Sequence, residues 1–309
     1  MEGIKISVII PCYNEEEIIE SSYHRIKAVI APEDEIVFVN DGSKDNTLLI
    51  LTRITGHDKS VKVISFSRNF GHQAAISAGI NYCTGEAAFI IDADMQDPPE
   101  LFPAMIATYK REKCSVVYGV RTSRKGEGLF KKMTAKLFYK IINRLSDVPI
   151  PKDTGDFRLI DRAVINEFKN LKEKNKYIRG LISWIGFKQC PFYYERAPRL
   201  AGHTKFPVVK MFRFATTGLL YFTKKPLSIA IAIGFLSILV GLGLATYTVI
   251  IKLKVPQNAV PGWASTLITI IFFGGIQLLS IGVLGKYIGS VFDEVKNRPE
   301  YIVDAEINF

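Results

Sequence analysis

The chain has 309 residues, 48% of them hydrophobic, and a formal net charge of +10, enough for one sizeable domain with an appendage. Its positive balance points to an anionic partner: nucleic acid, an acidic lipid surface or a phosphorylated substrate. Much of the apolar content lies beyond residue 225, which favours membrane over nucleic acid, and the four scattered cysteines (Cys12, Cys83, Cys114, Cys190) form no C-x-x-C pair, which argues against a metal cluster or disulfide framework. No secretory signal peptide is visible, since one early Lys is followed by a strand-length apolar run that stops at Pro11.

Residues 4–10 form a β-rich run that stops at Pro11-Cys12-Tyr13-Asn14-Glu15, and a helical pattern follows to about Ile30. Glu35 to Val39 predicts a second strand, ending in Asn40-Asp41-Gly42-Ser43, with a helix from about Asp45. Val61 to Phe66 is a third strand, and His72 to Tyr82 looks helical. The apolar run Ala87 to Ile91 predicts a buried strand, closed by Asp92-Ala93-Asp94-Met95-Gln96-Asp97 and a Pro-Pro stop. Mostly apolar strands alternating with helices predict an α/β domain whose parallel sheet is covered on both faces.

In such sheets ligands bind beyond the carboxyl ends of strands. Three ends here carry Asn14-Glu15, Asn40-Asp41, and Asp92 with Asp94. Asp92 and Asp94 stand two apart, so extended backbone projects both to one side. Two hard oxygen ligands suit Mg²⁺ or Mn²⁺, which in turn can hold a diphosphate. A G-x-G-x-x-G fingerprint is missing after the first strand, and no G-x-x-x-x-G-K-[ST] occurs, which weighs against a dinucleotide dehydrogenase and a P-loop NTPase.

Val116 to Val120 predicts a strand running into Arg121. Leu129 to Leu145 carries apolar residues every four positions and lysines on the other side, a basic amphipathic helix suited to an anionic membrane surface or, equally, to a solvated face of the core. Thr154 to Arg162 places Asp156 after a flexible Gly, with helices from Asp161 and over Tyr177 to Trp184. Phe192 to Arg196 looks like a strand and leads to a cationic loop (Arg196, Arg199, His203, Lys205) that either grips phosphates or simply solubilises. Phe206 to Phe222 is a further apolar, basic helical stretch. Leu227 to Ile251 holds no charge and as a helix extends roughly 37 Å, enough to cross a hydrocarbon core of about 30 Å. Trp263 to Leu284 is a second such run, so a transmembrane hairpin is predicted, with Gly241-Leu242-Gly243 as packing within its first span. Lys252 and Lys254 lie in the connecting loop, against Lys210, Arg213, Lys224, Lys225, Lys286, Lys296 and Arg298 on the other side, which predicts a cytoplasmic catalytic domain and tail.

Pro11-Cys-Tyr-Asn-Glu15, Asn40-Asp-Gly-Ser43, Asp92 to Glu100, Thr154-Gly-Asp-Phe-Arg158 and Arg199 to Lys205, in this order, resemble a family 2 glycosyltransferase of the GT-A fold. More narrowly the chain resembles polyprenyl-phosphate glycosyltransferases, both bactoprenol glucosyltransferases and dolichol-phosphate mannose synthases. The two-span C-terminus and the Gly285 to Glu300 tail favour the bactoprenol group. The resemblance implies that Glu15 and Asp41 contact the donor's base and ribose, with Pro11 and Tyr13 shaping that pocket and Asp92 close to the donor phosphates. It implies Asp94 as the likelier direct ligand of a divalent metal, Mg²⁺ or Mn²⁺, with Asp92 beside it. Gln96 would sit beside the sugar and Asp156 beside the reacting groups, as a positioner or weak base. Arg121, Arg196, Arg199 and Lys205 would face phosphates. His203 and Asn40 depart from the acidic residues frequent at those positions.

The division this implies is a GT-A domain at 1–205, a juxtamembrane amphipathic helix at 206–226, two transmembrane helices within 227–288 and a cytoplasmic tail at 289–309. The expected reaction is inverting transfer of a hexose from a nucleotide diphosphate sugar, UDP-glucose or a related UDP-sugar, to undecaprenyl phosphate at the inner membrane, for cell-envelope glycan modification. Alternatives are a GDP-mannose-dependent mannose synthase and, in another class, a non-catalytic membrane-associated scaffold. A processive synthase is disfavoured by the missing Q-x-x-R-W motif and the small number of spans. No nucleic-acid partner is expected, and a homo-oligomer is left open.

Overall fold

The computed structural model describes residues 4–122, 154–174, 176–195, 225–254 and 262–309. The basic helix expected at 129–145, the cations Arg196, Arg199 and Lys205, His203, and the amphipathic stretch up to residue 224 lie outside the described residues. The chain divides into two compact units, Met1–Met211 with Arg298–Phe309, and Phe212–Asn297.

The first unit contains, in order, β1 (Ile6–Cys12), α1 (Ile19–Lys27), β2 (Glu35–Asn40), α2 (Thr47–His57), β3 (Val61–Phe66), α3 (His72–Tyr82), β4 (Ala87–Ile90), a 3-10 turn (Pro99–Leu101) and α4 (Phe102–Glu112). It continues with β5 (Val116–Arg121), β6 (Thr154–Asp161), α5 (Arg162–Asn170), α6 (Ile178–Ile185), β7 (Gln189–Tyr194) and, from the far end of the chain, β8 (Val303–Ile307). One eight-stranded sheet runs in the order β7-β5-β6-β4-β1-β2-β3-β8. It is mainly parallel; β6 runs against β4 and β5, and β8 against β3.

Period-two alternation in strands buried on both faces divides the side chains between two cores. Val8, Ile10, Phe38, Phe89 and Phe157 point to one face, where Phe102 and Met105 of α4 pack. Val37, Val39 and Ile64 point to the other, covered by Ala74, Ala75 and Ala78 of α3. The small residues of α3 let it lie close: a Cβ on Gly79 would stand 2.2 Å from Ile9 Cγ2. These are the covered faces and the α/β architecture expected from the alternation of strands and helices.

Two strands form where the residue pattern predicts none. Residues 154–161 mix charge with apolar side chains yet form β6, buried almost throughout, and Asp161 then caps α5 by accepting the Val164 N–H at 2.9 Å. The sequence predicts only a tail over 289–309, but β8 lies there and pairs at the β3 edge.

The second unit holds α7 (Lys225–Lys254) and α8 (Trp263–Val295). α8 runs past the expected end at Leu284. The stretches Leu227–Tyr247 and Thr269–Val295 are long and apolar enough to cross a membrane, and neither is buried in protein. The two helices touch, with Phe273 Cζ 3.6 Å from the position of a Gly241 Cβ.

Candidate active site

The carboxyl ends of β1, β2 and β4 share one edge of the sheet, because the three strands are parallel neighbours. Pairing of β1 with β4 stops at Ile9 opposite Ile90, followed by Ile91 N–H donating to Ile9 O. The next rung would need a donor from Pro11, which has none, so the chain turns away after Ile91. A turn follows, closed by Met95 N–H on Asp92 O (3.3 Å), with Met95 at φ 49°. Asp92, Asp94 and Gln96 are half-buried while Ile91, Ala93 and Met95 are buried, so the expected two-residue alternation holds in a turn instead of a strand. Asp94 Oδ1 accepts the Gln96 N–H at 3.2 Å.

The β1 and β2 tips are laced together. Asp41 N–H donates to Cys12 O (2.9 Å), Asn14 N–H to Ser43 Oγ (2.9 Å), Lys44 N–H to Asn14 Oδ1 (2.8 Å) and Glu15 N–H to Thr47 Oγ1 (2.9 Å). Gly42 makes this turn at φ 64°, where a Cβ would lie 2.4 Å from the Arg68 carbonyl carbon. The buried Asp41 carboxylate accepts the N–H groups of Phe70 (2.6 Å) and Gly71 (2.9 Å). Burial pushes its carboxyl up, against those donors. Asp41 thus anchors the loop that launches α3. Asn40 is satisfied internally, donating to Ser65 Oγ at 2.9 Å and accepting the Ser43 N–H at 3.2 Å.

Because β6 is antiparallel to β4, with Ile90 opposite Arg158, its first residues arrive at the same edge. His72, the first residue of α3, places Nε2 3.2 Å from Asp156 Oδ2 and 3.5 Å from Asp92 Oδ1. Arg179 of α6 grips Asp156 from the other side, Nε on Oδ1 at 2.7 Å and Nη2 on Oδ2 at 3.1 Å. Burial alone would raise the Asp156 carboxyl, but Arg179 and His72 hold it well below the carboxylate range. Burial would lower His72, but Asp156 and Asp92 raise it to about 9, so it is an imidazolium at neutral pH. Asp92 is pushed up to about 6 by burial, with Asp156, Asp94 and Asp97 adding to the rise and His72 opposing it.

Arg121, expected to face phosphates, lies at the end of β5 and is paired within the protein. Its Nη2 lies 3.1 Å from Asp97 Oδ2, and Tyr194 OH, at the end of β7, donates to Asp97 Oδ1 at 2.5 Å. That triad, with Asp97 and Tyr194 buried and Arg121 half-buried, joins the 92–97 turn to the outer strands. A cavity of about 290 Å³ between Tyr109, Lys110, Lys113 and Asp161 opens instead at the amino end of β5, away from these groups.

The expected residues Pro11, Tyr13, Glu15, Asp41, Asp92, Asp94, Gln96, Arg121 and Asp156 therefore belong to one sheet edge. Nothing in the local sequence marks Arg179, Asp97 or Tyr194 as part of this edge; for His72 the signal is its place after Gly71, at φ 107°, where α3 begins.

The donor set fits a divalent cation that arrives with a diphosphate. Asp92 Oδ1 is the buried side-chain oxygen without a hydrogen-bond partner among the described residues. No cluster of three or more His, Cys, Asp or Glu suited to a metal occurs among them. Mg²⁺ is commonly held by one or two carboxylates plus substrate phosphates.

Residues 7–168 match the family described as Glycosyl transferase family 2. The chain belongs to that family. The family 2 chain is 48% identical to the uncharacterized glycosyltransferase YkcC of Bacillus subtilis (strain 168), over 97% of this chain and 93% of that one. It is 40% identical to the bactoprenol glucosyl transferase of Shigella phage SfII, over 97% of each. Among solved structures it is similar to a Pyrobaculum calidifontis mannosyltransferase in complex with GDP-Man and Mn²⁺, with 14% identity, a TM-score of 0.48 and coverage of 94% of this chain and 87% of that one. The enzyme is a glycosyltransferase.

Proposed function

We propose that the enzyme transfers a hexose, with inversion, from a nucleotide diphosphate sugar of the UDP-glucose type to a polyprenyl phosphate at the cytoplasmic face of the cytoplasmic membrane. The product is a lipid-linked sugar for cell-envelope glycans. The observation that carries this reading is the 40% identity to bactoprenol glucosyl transferases across 97% of the chain, the two apolar helices included.

In the reaction an acceptor phosphate oxygen attacks the anomeric carbon as the bond to the donor's diphosphate breaks, and the nucleoside diphosphate leaves with the electron pair from the opposite face. A phosphate monoester, with a second pKa of about 6, is already largely ionised near neutrality, so no strong base is required. Asp156 suits the role of positioner, because Arg179 and His72 already hold its carboxylate ionised. Asp94 and Asp92 are the groups that would hold Mg²⁺ or Mn²⁺ together with the donor diphosphate. A cation bound there offsets the charge developing on the leaving group. His72 and Arg179 add fixed positive charge within reach of the same edge. Tyr13 and Glu15 at the β1 tip are assigned to the nucleoside, and Gln96 to the sugar.

The lipid acceptor explains the membrane helices. Withdrawing a polyprenyl tail from the bilayer costs about 0.8 kcal/mol per CH₂, so the enzyme meets the head group at the surface. β8 returns to the same sheet as β1, so if α7 and α8 both cross the bilayer, the domain and the chain end lie on one side. The charge asymmetry supports a cytoplasmic position for that side.

The test is transfer from a panel of nucleotide sugars, UDP-glucose and GDP-mannose among them, to undecaprenyl phosphate in purified membranes. Asp94→Asn is expected to lower the rate by about 100-fold or more. Undiminished transfer by the variant would overturn the site, and a preference for GDP-mannose would replace the donor.

A further inference from the structure

The segment that follows α8 is built into the loop and helix that carry His72. Ser67 N–H donates to Ile302 O at 3.0 Å, and the Tyr301 ring stacks on Phe66 with centroids 4.9 Å apart. Asn81 Nδ2 donates to Tyr301 OH at 3.0 Å. Between these contacts, Glu300 Oε2 accepts from Ser77 Oγ of α3 at 2.8 Å and lies 3.6 Å from Lys176 Nζ. Both side chains are largely buried, 12% and 7% exposed respectively. Burial raises the Glu300 carboxyl to about 7 against the pull of Lys176, Ser77 and Lys174, so the contact is made at the cost of hydration. Closing the sheet does not require it, since β8 pairs with β3 only from Val303 onward.

Lys176 stands two residues before Ile178, whose N–H donates to Gln73 Oε1 of α3 at 2.9 Å, and three before Arg179. One carboxylate from the chain end therefore links the two elements that grip Asp156, α3 through His72 and α6 through Arg179. We propose that Glu300 is a positioning residue for glycosyl transfer, setting through Ser77 and Lys176 the distance between His72 and Arg179 on either side of Asp156. This rests on the reading of the Asp92–Asp156 edge as the transfer site. Buried ion pairs of this kind add little net stability and are best attested as devices that fix register.

The experiment uses the full chain in membranes, comparing Glu300→Gln, Lys176→Met, the double variant and, as a control on the exposed side of β8, Asp304→Asn. Glu300→Gln and Lys176→Met are each expected to lower kcat about tenfold while leaving KM for the nucleotide sugar within about twofold. The double variant is expected to be no slower than the slower single one, because both act through one linkage. Without any substrate, hydrogen exchange over residues 72–77 and 176–181 is expected to quicken in Glu300→Gln and to stay as in the wild type in Asp304→Asn. Wild-type kcat in Glu300→Gln, a rise in KM in place of the fall in kcat, or multiplying effects in the double variant would overturn the proposal. So would a lower melting temperature with kcat intact. If the wild type transfers sugar to no polyprenyl phosphate, the transfer reading falls and exchange decides the linkage alone: faster exchange supports it, unchanged exchange overturns it.

Discussion

At the scale of single residues, the site is a set of charges that make sense only in pairs. Asp156 is buried and tolerable there because Arg179 gives it two hydrogen bonds and His72 a third. Removing one partner of a buried pair strands the other. Arg179→Met is accordingly expected to destabilise the domain by about 3 kcal/mol, read as a fall in the denaturant midpoint, whereas a surface pair such as Arg25–Glu100 should cost under about 1 kcal/mol when broken. Glu35 offers a pH test away from the site. Burial would raise its carboxyl, but Lys62, the Ser7 hydroxyl and the N–H and hydroxyl of Thr84 outweigh it and bring it to about 2. A lowered folded-state pKa contributes stability above the unfolded value of about 4.3, lost as pH falls toward 2. Acid unfolding between those limits should be shallower in Glu35→Gln, with up to about 3 kcal/mol of the wild type's acid-sensitive stability absent. A variant with the wild-type acid profile would show that Glu35 is not the group responsible.

At the scale of elements, α3 decides how closely the upper layer approaches the sheet, and so where His72 lies. Gly79 has no room for a side chain, the Ile9 methyl standing 2.2 Å from the position of a Cβ. Gly79→Ala is therefore expected to lower stability by about 1–3 kcal/mol through overpacking. It should reduce kcat as well, because the helix shifts with its first residue. Equal melting temperatures and turnover in the variant would mean that Ile9 yields at no cost. The β1 to β4 ladder shows the complementary device, in which a proline removes one donor and lets the carboxylate turn leave the sheet.

At the scale of the whole molecule, the chain leaves the catalytic unit before residue 212 and re-enters it at Arg298. Apolar residues such as Phe235, Leu242, Ile270 and Leu278 are exposed on α7 and α8, which fits the proposal that both helices cross a bilayer. With β8 fixed to β3, an odd number of crossings is topologically excluded. Lys59→Cys and Asp304→Cys should both react with a membrane-impermeant maleimide in inside-out vesicles and neither in intact cells; the native cysteines are buried and should stay silent. Labelling of both positions in intact cells would overturn the cytoplasmic orientation.

The amino-acid sequence by itself determined the local features: the apolar strand runs, the acid-bearing tips of β1, β2 and β4, and two uncharged stretches long enough to span a bilayer. Each follows from hydrophobic period and length, properties read within a window of a few residues. The tertiary structure alone decided which charges meet. Nothing within residues 154–161 reveals that β6 runs antiparallel and brings Asp156, like Asp92, beside His72, or that Arg179 and the distant Glu300 join the surrounding framework. Nor does the local pattern show that Arg121 is held by Asp97 and Tyr194, or that the last residues close the sheet's far edge. Strand direction and pairing are set by packing between segments far apart in the chain, and the residue pattern of one strand carries neither.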